Sequence, residues 1–257
     1  MQDTDPPGGD PPGLPGLPGP SDPPGADPGG GVLRLIAHKA LLAGLCQFVP
    51  VPFVDDLLGD RVRRSMVGQL LQRRGRSFDA PAVKPLYAGP PKSGLSRVTG
   101  FAKSLVFQPV KKLLRTVFLV VTVRRAVLGV AGTLLLGRSL DRRLAAGHFA
   151  DGTPEEGLRA EAAALEAAVR GALASPERRG LVRLVRASFR ALRQEGVDPA
   201  PAPGALEAAG GDPEQALSPG QRRRLASASG RLGEALEREA GGGLLAGLDA
   251  AVDARLA

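Results

Sequence analysis

The sequence predicts a mainly α protein: an irregular helical bundle with a disordered Pro/Gly-rich N-terminal arm. Aromatic residues make up only 4% of the chain, with 8 Phe, 1 Tyr and no Trp. A core must therefore be built from Leu, Val and Ala, which favours helices packed on helices over a β-sandwich. Apolar residues also recur at helical spacing in several segments. The first thirty residues are almost entirely Pro, Gly and Asp, a composition that cannot bury enough apolar surface to fold.

The composition along the chain predicts four regions. Residues 1–30 form the arm, 31–195 a helical domain, 196–218 a Pro/Gly/Ala linker and 219–257 a C-terminal helical tail. An alternative for the arm is a proline motif that binds a partner domain. The tail carries two short helical patterns with thin apolar faces, which either pack against the body or fray.

The first ordered element is predicted at 32–48, where a strongly apolar segment precedes Pro50 and Pro52. A helix this apolar is either buried or lies in a membrane interface. The prolines end it because each lacks a backbone donor and clashes with the preceding turn. Its narrow polar stripe consists of Arg34, His38 and Lys39.

An amphipathic helix is predicted at 53–74, where apolar residues follow one another at four-residue steps. Asp55 or Asp56 is placed to cap its N-terminus, and Gly75 to end it. A metal site at Asp56 and Asp60 is an alternative to ion pairing of these carboxylates with neighbouring arginines. The stripe that should face the helix at 32–48 is Val54, Leu58, Val62, Met66 and Leu70.

After a predicted loop at 76–100, the most apolar part of the chain predicts one long helix from about 109 to 145, bent or broken near Gly129 and Gly132. The β-branched run Val117–Val123 leaves a strand as an alternative.

Two arginines, Arg124 and Arg125, divide this apolar region. Each would cost about 2.5–3.5 kcal/mol at the centre of a membrane-spanning helix. The flanking apolar residues return only about 0.3–0.6 kcal/mol each. We therefore expect no transmembrane crossing, and either a buried core helix or an interfacial hairpin.

Two further helices are predicted within 154–195, beginning after Thr153 and near Ser175. The second has an apolar stripe of Leu181, Val185, Phe189 and Leu192. Two interpretations remain: an interfacial helix that presents arginines to anionic headgroups, or a bundle helix with a solvated basic face.

The formal net charge is +8, and most of the positive charge is arginine. Such a balance suggests an acidic partner, although an Arg-, Ala- and Gly-rich composition is also typical of bacterial proteins from GC-rich genomes. The candidate anionic-surface contacts are Arg124, Arg125, Arg179, Arg183, Arg186, Arg190 and Arg193. Nucleic-acid binding is the alternative, disfavoured because aromatic residues for stacking are scarce and no recognised motif occurs.

Groups for acid–base catalysis are scarce, so the sequence favours a non-catalytic protein without a cofactor, metal or small-molecule substrate. His38 is expected in the core or at an interface, and His148 in a solvated loop. Cys46, the single cysteine, is expected to be a buried inert thiol. An enzyme is the third alternative, with no residue nominated.

The segment 46–75 resembles the helical hairpin of the YcjF-like group of membrane-associated proteins of unknown function. The resemblance lies in Pro50-Val51-Pro52, in the acidic residue at Asp55 or Asp56, and in Met66 within an amphipathic helix. Arg61, Arg63 and Arg64 depart from the pattern, and no GTPase domain accompanies the segment. The resemblance implies a helical module near a membrane and transfers no active-site residue.

The sequence therefore predicts an interaction or scaffold module whose partner is another protein or an anionic membrane surface. A single cysteine suits a reducing compartment, and the N-terminus lacks the basic start and apolar run of a signal peptide. We expect the protein in the cytoplasm or peripherally on the inner membrane.

Overall fold

A computed structural model describes residues 28–48, 54–77, 80–88, 111–194, 203–241 and 243–257. Within these ranges the chain is helical and contains no strand, so the mainly α prediction is confirmed. The α-helices are α1 (Pro28–Cys46), α2 (Val54–Arg73), α3 (Lys111–Ala145), α4 (Glu155–Ala174), α5 (Arg178–Gln194), α6 (Pro203–Ala208), α7 (Pro219–Gly241) and α8 (Leu244–Leu256), with a short 3-10 helix at Lys84–Leu86. The predicted arm falls mainly on residues 1–27, outside the described residues, and 28–30 form the start of α1.

Helix α1 lies at the centre of the fold and packs against α2, α3 and α7. Its second half is buried almost all round, including Ile36, Leu41, Leu42 and Cys46. A helix that is apolar on every face is stable in water only when other helices cover every face. Of the two settings predicted for 32–48, the structure has the buried one.

Helix α2 covers one side of α1 through the predicted stripe. Leu58, Val62, Met66 and Leu70 are all buried, which confirms that prediction for these side chains. The helix also ends as predicted: Gly75 has a left-handed φ of 68°. There the Gly75 amide bonds Gln72 O and the Arg76 amide bonds Leu71 O, the pattern of a Schellman cap.

Helix α3 is continuous from Lys111 to Ala145. Of the bend or break predicted near Gly129 and Gly132, the break is wrong, because tertiary packing of the surrounding residues outweighs the cost of about 1 kcal/mol for each mid-helix glycine. The bend stays a prediction. The strand alternative at Val117–Val123 is also wrong, since this run lies inside α3. β propensity is a weak prior that tertiary context overrides.

The C-terminal part of the chain belongs to the same hydrophobic core as α1. Within the predicted linker range, residues 203–218 include α6 and the buried Leu206 and Leu217. Helix α7 packs along α1 and α5, and α8 packs against α4. The thin apolar stripe of α7 suffices because its Leu225, Leu232 and Leu236 are almost completely buried.

Two glycines set how closely the central helices approach. A Cβ on Gly44 of α1 would lie 2.4 Å from Val130 of α3 and 2.7 Å from Phe189 of α5. A Cβ on Gly137 of α3 would lie 2.8 Å from Ile36 and 3.1 Å from Met66 Sδ. All three distances to carbon are shorter than van der Waals contact, so these helices meet where a side chain is missing.

We therefore expect Gly44→Ala to destabilise the protein by about 1–3 kcal/mol, the usual cost of overpacking a core. Gly129→Ala is the matched control, because a Cβ at this mid-helix glycine meets nothing within 4 Å. It should stabilise by about 0.5–1 kcal/mol through helix propensity. Urea unfolding followed by circular dichroism measures both, and equal effects of the same sign would contradict the packing described here.

Candidate functional site

Helix α5 carries the strongest local charge in the described residues. Its seventeen residues, RRGLVRLVRASFRALRQ, include six arginines and no acidic residue. The predicted apolar stripe faces the core: Leu181, Val185, Phe189 and Leu192 are buried. The apolar side of α5 is therefore occupied by the bundle, and only the basic side is available to a partner.

That basic side is a row of exposed arginines, here called the arginine row: Arg179, Arg183, Arg186 and Arg190. Steps of four, three and four residues keep them on one helix face, over a length of about 16 Å at 1.5 Å per residue. Within the described part of the chain, none of the four side chains has an ion pair or hydrogen bond. Arg193 continues the spacing, but its side chain is not among those that the structure describes.

Other arginines of the fold bind carboxylates. Arg74 bonds Asp141 at 2.7 Å, Arg138 bonds Asp249 at 2.8 Å and Arg142 bonds Asp253 at 2.8 Å. On α4, Arg159 pairs with Glu155 and Arg170 with Glu166, each one turn apart. Among the described residues the arginine row has no such partners, and each like-charged pair one turn apart costs an isolated helix about 0.2–0.5 kcal/mol.

The predicted contacts Arg124 and Arg125 lie on α3, away from the middle of this row. Both are exposed, and one turn further Leu128 is 37% exposed. Val130 of α3 and Phe189 of α5 both approach Gly44. Four residues later in α3, Leu134 lines the same cavity as Leu181, which comes earlier in α5. The two helices are therefore antiparallel. Arg124 and Arg125 therefore lie toward the end of the bundle that contains the C-terminus of α5.

A second polar surface is the groove of about 350 Å³ along α2. Its two arginines are already engaged: Arg61 donates to Gly210 O at 2.8 Å, and the Arg64 guanidinium lies 5.9 Å from the centre of the Tyr87 ring. The remaining lining residues are Ser65, Gly68, Gln69 and Gln72. This groove is accordingly a weaker candidate for anion binding than the arginine row.

A partly buried polar cluster joins α1 to the turn before α7. Lys39 Nζ donates to Glu214 Oε2 at 2.6 Å, and His38 Nε2 lies 3.1 Å from Glu214 Oε1. The Lys39 side chain is only 7% exposed, so its charge depends on this carboxylate for compensation. His38 is thus an interface histidine, one of the two settings that the sequence predicts for it.

Ser229 Oγ lies 3.4 Å from His38 Nδ1, so that a hydroxyl, an imidazole and the Glu214 carboxylate lie next to one another in space. A serine nucleophile must donate its proton to the histidine and reach a substrate. Here the hydroxyl donates to Leu225 O at 2.6 Å, and Ser229 is 1% exposed. The three groups therefore tether helices and do not form a nucleophilic site.

The pKa of Glu214 is lowered to about 2, first by its hydrogen bond to His38 and then by its hydrogen bond and charge interaction with Lys39. Sequence reasoning missed Glu214, because no local pattern links it to residues more than 170 positions away.

The other candidates from the sequence have local roles. His148, expected in a solvated loop, is half-buried and accepts a hydrogen bond from Arg143 at 3.1 Å. Cys46 is buried, as predicted, and forms no disulfide. Arg63, an expected ion-pair partner of the α2 carboxylates, donates to Thr133 Oγ1 at 3.2 Å. No group of three metal-binding side chains occurs among the described residues.

None of the helices in the described ranges is both long and apolar enough to cross a membrane. Comparisons of the chain with protein-family models, with curated proteins and with solved structures find no match. The resemblance of residues 46–75 to the YcjF-like hairpin therefore stays a prediction.

We expect Glu214→Ala to destabilise the fold by about 1–3 kcal/mol, because it leaves a buried ammonium group without its acceptor. In the Lys39→Met background the same change should cost less, since the unpaired charge is gone. Glu207→Ala, an exposed carboxylate on the same segment, is the control and should be nearly neutral. Denaturant unfolding of the four variants gives the coupling energy, and additive effects would contradict the tether.

The tether also predicts how stability depends on pH. Because the folded pKa of Glu214 is below its ordinary value of 4.5, its contribution is complete above that value and is lost as the pH falls toward about 2. Glu214→Gln should therefore flatten the loss of stability between about pH 5 and pH 3. Unfolding midpoints across this range test the sign, and parallel curves for the two proteins would argue against it.

Proposed function

We propose that this protein is a non-catalytic helical interaction module that binds an anionic membrane surface through the arginine row of α5. One observation carries the proposal: four exposed arginines share a helix face and have no carboxylate partner among the described residues. Guanidinium groups bind phosphate and carboxylate oxygens in pairs, and both occur in anionic lipid headgroups.

The geometry favours headgroups over single-stranded nucleic acid. Single-strand binding combines a basic surface with aromatic side chains on which bases stack. In the described ranges, Leu57 and Leu128 are the exposed large hydrophobic residues, and neither is aromatic. Phe189, the one aromatic residue of α5, is buried against the bundle. The row supplies charge without a stacking platform.

Binding by this row would be electrostatic, without insertion of α5 into the lipid. The apolar stripe of α5 is core, so exposing it to acyl chains would require the bundle to open. Basic residues near an anionic leaflet contribute about 1 kcal/mol each, so the row gives a weak and reversible attraction. On this proposal the protein acts on the cytoplasmic face of the inner membrane, where a scaffold can attach and detach as the surface charge changes.

Vesicle cosedimentation tests the proposal, with phosphatidylcholine vesicles that contain or lack phosphatidylserine. We expect binding only to the anionic vesicles, and its loss when salt rises from about 0.05 M to about 0.5 M. Arg183→Gln/Arg186→Gln should weaken the affinity about 20- to 30-fold, at about 1 kcal/mol for each arginine.

The matched control is Arg159→Gln/Arg170→Gln, which lowers the net charge equally but removes arginines that pair with glutamates on α4. Its affinity should stay within about twofold of the unchanged protein, because paired arginines attract anions less. Equal losses of vesicle affinity in both double variants would mean that net charge alone drives binding, and would overturn the proposed site. Row-dependent binding to duplex DNA without vesicle binding would instead support the nucleic-acid alternative.

A further inference from the structure

The arginine row has a candidate partner within its own chain, the N-terminal residues 1–27. This segment contains five aspartates and no lysine, arginine or histidine. We infer that it docks along the arginine row and competes there with external anions. The inference rests on the proposed function only for the competition, because docking itself needs no membrane.

The packing of α1 brings the two parts together. Leu33 and Ile36, in the N-terminal half of α1, line the same apolar cavity as Leu181, in the first turn of α5. Further along, Phe48 and Phe189 have ring centres 6.2 Å apart. The two helices are therefore parallel, and residue 27 precedes α1 at the end of the bundle where the row begins with Arg179.

Length and charge are both sufficient for docking. The row extends about 16 Å along α5, and a stretch of 27 residues spans about 90 Å when extended. The aspartates are Asp3, Asp5, Asp10, Asp22 and Asp27. Their carboxylates are acceptors of the kind that the guanidinium groups of the row lack among the described residues, and tethering raises their effective concentration to the millimolar range. An intramolecular contact of weak intrinsic affinity is then well populated.

Docking would act as a threshold on anion binding. A ligand that needs the row binds with an affinity reduced by the fraction of molecules whose row is free. An arm that covers the row nine-tenths of the time lowers the apparent affinity about tenfold. Dense anionic surfaces displace the arm, while dilute monovalent anions do not.

Distance measurements between two spin labels test docking in the full-length protein, without lipid. One label is attached at Thr4→Cys, between Asp3 and Asp5, and the other at Ala187→Cys, which is exposed beside the row. The native Cys46 stays in place because its thiol is fully buried. We expect a narrow, short distance at low salt that becomes long and broad at about 0.5 M salt.

Two charge variants and one control pair decide the outcome. Replacing the five aspartates with Asn, or Arg183 and Arg186 with Gln, should each abolish the short distance. Arg159→Gln/Arg170→Gln should keep it. A label at the exposed Ala167 of α4 in place of Ala187 should give a distance that these variants change much less. Distances to Ala187 that are the same in native and Asp→Asn proteins would overturn docking.

Competition between residues 1–27 and the lipid surface for the arginine row is measured separately, with the phosphatidylserine vesicles described above. The Asp→Asn variant should bind them about tenfold more tightly than the native chain. Unchanged vesicle affinity alongside a short native distance would overturn the competition while leaving docking supported. Absence of vesicle binding in both proteins would instead overturn the proposed function, and the distances measured without lipid would stand.

Discussion

The fold depends on covering α1 on all sides. An apolar helix of this kind gains free energy only when each face is removed from water, and three other helices share that task. Gly44 and Gly137 allow close contacts, because each leaves room for a side chain of a neighbouring helix against its backbone. Of the remaining helices, α4, α5 and α8 pack against the helices that cover α1.

The polar residues of α1 show how such a helix is held in one register. His38 and Lys39 interrupt its apolar surface where the turn before α7 supplies Glu214. An apolar surface alone permits sliding or rotation at little cost, whereas an ammonium group that must meet one carboxylate does not. A second such pairing, Arg138 with Asp249, joins α3 to α8. These pairings orient the long helices, while the leucines supply most of the buried area.

Local periodicity predicts the parts of this fold whose determinants lie within one or two turns. The stripe of α2, the Schellman cap at Gly75 and the two faces of α5 are examples, because spacing alone fixes which side chains share a face. What periodicity cannot predict is the partner across the core. The carboxylate that binds Lys39 lies 175 positions away along the chain. Helix α7 has few apolar residues, so its sequence pattern does not predict that it packs on α1. Likewise, spacing predicts the arginine row, but whether its members are paired depends on which neighbours the tertiary fold supplies.

The position of α7 has a consequence for how the protein is made. Helix α1 is near the beginning of the chain, and the helix that covers one of its faces begins at Pro219. At a translation rate of about 5–20 residues per second, α1 leaves the ribosome about 10–35 seconds before α7 does. During that interval the strongly apolar α1 has α2 and α3 as covers but an uncovered third face. The nascent chain therefore presents a surface of the kind that chaperones recognise, and α7 buries this surface once it has emerged.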